Sequence, residues 1–185
     1  MCKKAYYNIK NISKIRKSLS LDDAKTVVNA LVTPHLDYGN SLLTGINKKL
    51  LNKLQVAQNS AVRLIHRVNK RDPVTQLRKQ LHWLPIPARI QYKIATTVWK
   101  GLNNQAPKYI KDLITIRRPP RELRSSHRNI LDYPDPTTRN KYTERSFSVM
   151  APKIWNKLSL VSRNKPSLDC FKKSLKTELF TKFYT

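Results

Sequence analysis

The chain has 185 residues, of which 39% are hydrophobic, and it carries 37 Lys or Arg against 11 Asp or Glu. This length fits one domain or two small ones, and the apolar content can fill an ordinary core, which excludes a chain that is disordered throughout. A formal charge of +26 repels itself in a compact body, so the composition indicates a polyanionic partner, with nucleic acid as the first candidate.

The sequence shows no sign of a membrane or secretory protein. No run approaches the roughly 18 apolar residues of a membrane-spanning helix, so we expect no membrane partner. The N-terminus lacks the apolar segment of a secretory signal, and two Cys far apart suggest no disulfide framework. These features predict a reducing compartment, the nucleus or the cytoplasm.

Proline and glycine divide the chain into helical segments. Eleven Pro stand at segment edges and only three Gly occur, which predicts an all-α fold. We expect a helical bundle followed by a second small, mostly helical region with a basic segment that is irregular or forms short strands. The predicted divisions are a bundle over 1–70, a helical continuation over 71–114, a basic linker over 115–145 and a helical segment over 146–185.

Two basic-sided helices are predicted at the start of the chain. The first covers about 5–19, and the second follows Ser20, a predicted N-cap with Asp22 and Asp23 behind it in the first turn. Pro34 is expected to stop the second helix. The apolar stripe of the first helix consists of Ile9, Ile12, Ile15 and Leu19.

The stretch HLDYGNSLL, His35 to Leu43, fits either an active-site loop or a helix junction. Two-metal phosphoryl transfer needs several carboxylates at one point, and Asp37 stands alone, with Asp72 as the next acid along the chain. Capping already explains the adjacent pair Asp22-Asp23. The pattern therefore favours a helix junction in which Asp37 makes a polar contact.

The next helix, over about 48–68, has the clearest pattern in the chain. Its predicted buried stripe is Leu50, Leu54, Ala57, Ala61, Leu64 and Val68. Its predicted nucleic-acid-binding flank is Lys49, Lys53, Arg63 and Arg67, followed by Lys70 and Arg71. No acid lies between Asp37 and Asp72, so no ion pair within the helix can neutralise the flank. Asn52, Gln55 and Asn59 offer amides to phosphate or sugar. The alternative is a solvated basic face.

Aromatic and apolar residues predict the later core. A helix is expected over about 87–102, and Trp83 and Trp99 stand in apolar positions typical of core residues, whereas the position of Trp155 stays open. Ser167 is the predicted cap of a last helix. The apolar residues of that helix are Leu168, Phe171, Leu175 and Leu179.

Between these helices, Thr115 to Arg128 breaks the helical pattern with five Arg and two Pro. The planar guanidinium matches phosphate with two hydrogen bonds and stacks on bases, so this segment is a second predicted contact with nucleic acid. A charged linker is the alternative. The predicted contact residues are Arg117, Arg118, Arg121, Arg124 and Arg128.

No other chemistry is indicated. The four His are scattered, no CxxC pair occurs and no set of residues has the spacing of zinc ligands. No Gly-x-Ser-x-Gly elbow presents a nucleophile. We therefore expect no catalytic residue, no metal site and no cofactor.

The order of motifs resembles the C-terminal part of jockey-type LINE (non-LTR retrotransposon) reverse transcriptases over nearly the whole chain. The similar stretches are IRKSLSLDDAKTVVNALVTPHLDYGNSLLTGI, LNKLQVAQNSAVRLIHR, LHWLPIPARIQYKIATTVWKGLNNQAP, ELRSS, SFSVMAPKIWNKLS and SLDCFKKSLKTELF. The stretch of this chain up to about Lys70 is similar to the thumb of that family, a helical element that grips the template-primer duplex. The family usually has Cys where Gly39 stands.

The resemblance implies a fragment of an RNA-directed DNA polymerase without the palm and its Asp pair. It implies that the chain itself is not an enzyme and that it holds template RNA and primer DNA during target-primed synthesis. Its partners would be RNA, DNA or an RNA-DNA hybrid, together with the missing polymerase core. Gly39 would allow close helix approach or a sharp bend, and Gly45 would suit a C-terminal cap. The alternatives are a domesticated RNA- or chromatin-binding protein and a transposon remnant without function.

Overall fold

The structure is a computed structural model that describes residues 1–117, 129–133 and 143–184. In these ranges the chain forms ten α-helices and no β-strand, so the all-α prediction is confirmed. None of the described helices is both long and apolar enough to cross a membrane. The helices are α1 (Cys2–Ile15), α2 (Leu21–Leu31), α3 (Thr33–Asp37), α4 (Lys48–His66), α5 (Thr75–Gln80), α6 (Ile86–Leu102), α7 (Lys108–Lys111), α8 (Phe147–Trp155), α9 (Leu160–Arg163) and α10 (Leu168–Tyr184).

The helices group into two compact units. The first unit is Met1–Arg89 with Tyr184, and the second is Ile90–Phe183. The division along the chain lies within α6. The finer organisation into four segments stays a prediction.

In the first unit, α1 and α2 follow the local signals of the sequence. Ser20 caps α2 as predicted, since its Oγ accepts a hydrogen bond from Asp23 N at 3.1 Å and the Asp23 carboxylate accepts one from Ser20 N at 3.3 Å. The buried face of α1 differs from the prediction. Ile15 is 52% exposed, whereas Arg16, four residues after the buried Ile12, is itself buried.

The stretch HLDYGNSLL joins α3 to a short 3₁₀ turn over Asn40–Leu43. Pro34 lies in the first turn of α3, which begins two residues after α2 ends. Gly39 has φ +56° and Gly45 has φ +70°, both in the left-handed region. A Cβ on Gly39 would meet Leu42 Cδ1 at 3.7 Å, an ordinary contact, so the backbone bend and not crowding favours glycine there.

Helix α4 is long because nothing in its sequence interrupts it and both ends are capped. It contains no Gly or Pro, and the Asn47 side chain accepts a hydrogen bond from Lys49 N at 2.9 Å at its start. It ends at Arg67, whose φ of +54° gives it the left-handed conformation common at helix C-termini.

The buried face of α4 is rotated from its predicted position. The buried residues are Leu54, Ala57, Gln58, Ala61, Val62 and Ile65. Around the helix axis, the centre of this buried face lies roughly 50° from the centre of the predicted stripe. This rotation is half of the ~100° by which successive residues turn about the axis. Leu50 is 52% exposed, and Leu64 and Val68 are half-buried. Gln58 is tolerated inside because its Nε2 donates to Leu84 O at 2.9 Å.

The second unit is built around three aromatic side chains. The Trp99 and Trp155 rings lie 5.9 and 5.7 Å from the ring of Phe171 on α10. All three are buried, so the predicted core position of Trp99 is confirmed and the open question about Trp155 is answered. The Trp155 indole N–H donates to Asn129 O at 2.7 Å.

Backbone pairing connects the residues around Ile116 with those around Leu131. An isolated antiparallel bridge joins Ile116 to Leu131, in the region where the sequence predicted short strands. The Asn156 side chain bonds both the N–H and the carbonyl of Leu131 at 2.9 Å. Leu131 is 1% exposed, so this contact anchors its side chain in the core of the second unit, whereas Asn129, Asp132 and Tyr133 stay exposed.

Candidate nucleic-acid interface

The exposed face of α4 carries the first two predicted contact residues. Lys49 and Lys53 are four positions apart and therefore lie about one turn apart along the helix, and both are exposed. Asn52, between them in sequence, is exposed as well. No Asp or Glu occurs between Lys48 and His66. No acidic side chain of α4 therefore offsets the charge of these two lysines.

Arg63 has a structural contact that the sequence did not reveal. Its side chain is half-buried, and its Nη2 donates to the backbone carbonyl of Asp72 at 3.1 Å. Its Nε is buried and has no hydrogen-bond partner among the described residues. The acceptor is a carbonyl and not a carboxylate, so this contact is not an ion pair.

Arg67 is tied to the end of α1 in the same way. Its Nη2 donates to the carbonyls of Arg16, Lys17 and Leu19 at 2.8, 3.0 and 3.2 Å. The contact fixes the guanidinium where α4 ends, although the residue as a whole is exposed. The part that Arg63 and Arg67 play in nucleic-acid binding stays a prediction.

Arg16 is the residue of this region that sequence reasoning missed. It is 7% exposed, and its guanidinium donates from Nε to Leu64 O at 2.9 Å, from Nη1 to Leu19 O at 2.7 Å and from Nη2 to Ile65 O. Leu64 and Ile65 belong to the last turn of α4, whose carbonyls have no partner within the helix. A cation there also interacts favourably with the helix dipole. The available signal was its spacing, four residues after the buried Ile12.

Positive charge is crowded around this helix end. The pKa of Arg16 lies below its ordinary value because the group is buried and, secondarily, because Arg67 is close. The pKa of His66 is also lowered, first by burial of the ring and then by the charge of Arg16. His66 Nε2 is buried without a hydrogen-bond partner in the described parts of the chain. The secondary contributions show that the positive charges of Arg16 and Arg67, and the ring of His66, lie close enough to interact.

Between α1 and α4 lies an open groove of about 500 Å³, called here the α1–α4 groove. Its basic lining residues are Arg16, Lys17, Arg63, Arg67 and Lys70. Its apolar lining residues are Ile9, Leu64 and Val68. The groove thus gathers three of the predicted contact residues, Arg63, Arg67 and Lys70, beside an apolar surface. The exposed Arg71 follows Lys70 and is not part of the lining.

The predicted amide contacts are largely occupied inside the protein. Gln55 Nε2 donates to Gln58 Oε1 at 2.8 Å and to Asn59 Oδ1 at 2.9 Å, while Gln55 Oε1 accepts from Ile86 N at 2.9 Å. Asn59 Oδ1 also accepts from Arg78 at 3.1 Å. Gln55 and Asn59 thus make hydrogen bonds within the protein, and of the three amides only Asn52 is exposed.

The second predicted contact segment is described only at its start. Arg117 is exposed and its backbone N–H donates to Ile130 O at 2.9 Å, in the pairing that flanks the isolated bridge. The other four arginines of this prediction lie outside the described residues. They are Arg118, Arg121, Arg124 and Arg128.

Asp37 makes a polar contact at the helix junction. Its carboxylate accepts two hydrogen bonds from Arg89, one of them from Nε at 2.7 Å, and a weaker one from Asn40 Nδ2 at 3.3 Å. Within the described ranges no group of three His, Cys, Asp or Glu side chains is placed to hold a metal ion. The ion pair gives Asp37 a structural explanation.

Comparisons with protein-family models, with curated proteins and with solved structures find no match to this chain.

Proposed function

We propose that this chain is a non-catalytic nucleic-acid-binding fragment, similar to the C-terminal part of a LINE reverse transcriptase, that grips RNA, DNA or an RNA-DNA hybrid. The observation that carries the proposal is the exposed basic face of α4. Lys49 and Lys53 lie one turn apart there, in a helix without an acidic residue. Ammonium groups so placed would displace condensed counterions from consecutive phosphates, the main source of affinity for nucleic acid.

The rest of the first unit leaves this charge without internal compensation. Residues 1–89 contain 17 Lys or Arg against four Asp and no Glu. Asp22 and Asp23 lie in the first turn of α2, Asp37 pairs with Arg89, and Asp72 accepts a hydrogen bond from Asn69 N at 2.7 Å. None of these four acids lines the α1–α4 groove.

Lys49→Gln combined with Lys53→Gln tests the proposal most cleanly. Arg63 and Arg67 are less suitable, because their removal would also break contacts within the fold. The affinity should be measured over a range of salt concentrations for single-stranded RNA, duplex DNA and an RNA-DNA hybrid. We expect weaker binding to all three and a salt slope smaller by about 0.7–0.9 for each lysine that contacts a phosphate.

The matched control is Lys173→Gln combined with Lys176→Gln, which removes the same charge from exposed positions of α10. We expect this variant to keep most of the affinity and of the salt slope. Equal losses in the two variants would mean that overall charge and not the α4 face determines binding. A folded, soluble wild-type protein that binds none of the three probes would contradict the proposal and support a remnant without function.

The proposal also assigns no chemical step to this chain. Purified protein incubated with a primed template, deoxynucleotides and Mg²⁺ should give no primer extension. Metal-dependent extension by the pure chain would overturn this part of the proposal.

A further inference from the structure

The α1–α4 groove differs from the face around Lys49 and Lys53, because it places fixed positive charge beside apolar surface. Ile9, Leu64 and Val68 line it and are all half-buried, so each still exposes part of its side chain. A volume of about 500 Å³ falls within the roughly 300–1,000 Å³ usual for small-molecule sites. The groove can therefore accept more than a phosphate group.

The two arginines of the groove are held in place and still have donors to offer. In the hydrogen bonds made by described residues, Arg63 and Arg67 each use only Nη2. Their partners are carbonyl oxygens, which orient the guanidinium without neutralising its charge. Because these side chains are already ordered, binding an anion through their remaining Nη groups costs little further conformational entropy, and the buried Nε of Arg63 takes no part.

We infer that the α1–α4 groove binds one nucleotide of an unpaired strand, with its phosphate on Arg63 and Arg67 and the face of its base against Leu64 and Val68. In a duplex the base faces are covered by stacking, so a duplex would gain nothing from the apolar lining. An unpaired strand offers both groups, and because every base has an apolar face the site would show little sequence preference. This inference rests on the proposed function and refines it by naming the ligand of the groove.

The test compares two single strands of equal length and charge, about 12 nucleotides long, one an oligouridylate and the other an abasic strand with the same backbone. Fluorescence anisotropy would measure both affinities. We expect the wild-type protein to bind oligouridylate about fivefold more tightly than the abasic strand. Val68→Asn should remove most of this preference, because it replaces an apolar wall of the groove with an amide without changing the charge.

Val56→Asn is the matched control, since Val56 lies on α4, is 44% exposed and does not line the groove. It should keep the full preference for oligouridylate. Ile9→Asn, on the opposite wall, should reproduce the effect of Val68→Asn, and far-UV circular dichroism would verify that each variant is folded. Two folded variants guard against an effect that comes from lost packing at one position.

The outcomes separate this inference from the proposed function. Equal affinities of the wild-type protein for the base-bearing and abasic strands would overturn the inference and leave polyanion binding intact. The absence of binding to any strand would overturn both. Loss of the preference in both groove variants and its retention in Val56→Asn would support a base-binding groove.

Discussion

Arg16 joins the end of α1 to the end of α4 through hydrogen bonds to three backbone carbonyls. Hydrogen bonds from a charged group contribute more than neutral ones, and their loss would take the guanidinium donor from Ile65 O and leave Leu64 O with the long bond from Arg67 N at 3.4 Å. We predict that Arg16→Met lowers the free energy of unfolding by about 3 kcal/mol, measured by urea denaturation. Arg16→Lys should recover little, because one ammonium cannot span the three acceptors.

Lys14→Met on the same helix is the control for that measurement. Lys14 is exposed, so its loss should change the free energy of unfolding by less than about 0.5 kcal/mol. A similar small effect for Arg16→Met would show that α4 is capped adequately without the guanidinium.

His66 should make stability depend on pH. Burial and the charge of Arg16 lower its pKa in the folded protein, whereas the unfolded chain keeps a value of about 6.5. Between these two values the unfolded state binds more protons, so the contribution of His66 to stability is present above about pH 6.5 and is lost as the pH falls toward the folded-state pKa. Urea denaturation at a series of pH values from 8 to about 5 would reveal this decline.

His66→Gln should reduce that decline, because the variant has no imidazole to protonate. His35→Gln, which keeps His66, should retain the wild-type pH dependence. A His66→Gln curve that matches the wild-type curve across the range would assign the decline to other groups.

At the scale of the elements, the junction between α3 and the 3₁₀ turn depends on the positive φ of Gly39. Gly39→Ala should lower the free energy of unfolding by about 1 kcal/mol, because a residue with a Cβ is strained in this conformation. Gly39→Asn should cost less, since Asn tolerates the left-handed region. Thermal denaturation of the three proteins would give this order, and an Ala variant as stable as the Asn variant would contradict it.

Helix α4 shows how far pattern alone can place an element. The predicted span of 48–68 agrees with the observed Lys48–His66 to within two residues, because N-capping and an unbroken run of helix-forming residues are local properties. The predicted position of the buried face was wrong by roughly 50° of rotation about the helix axis. Leu64 and Val68 looked like core residues, but Gln58, Val62 and Ile65 point further inward, and Gln58 satisfies its amide on Leu84.

For the whole molecule, the excess of positive charge predicts a stability that depends on ionic strength. Like charges repel in the folded state, and salt screens this repulsion. We expect the urea midpoint to rise as NaCl increases from about 0.05 to 0.5 M. The double variant of Lys173 and Lys176 should show a smaller rise, and a midpoint that falls with salt in the wild type would mean that attractive ion pairs dominate instead.

The sequence by itself determined the all-α class, the capping of α2 by Ser20 and the core positions of Trp83 and Trp99. These features depend on neighbouring residues or on apolar character, both of which can be read from the chain. Only the tertiary structure decided that Arg16 is buried and that Arg67 is bound to carbonyls. Apart from Leu19 O, which lies three residues from Arg16, their partners lie 48 to 51 residues away, so no local pattern could reveal these contacts between helices. A basic residue has the same appearance in the sequence whether it meets solvent, a phosphate or the carbonyls of another helix.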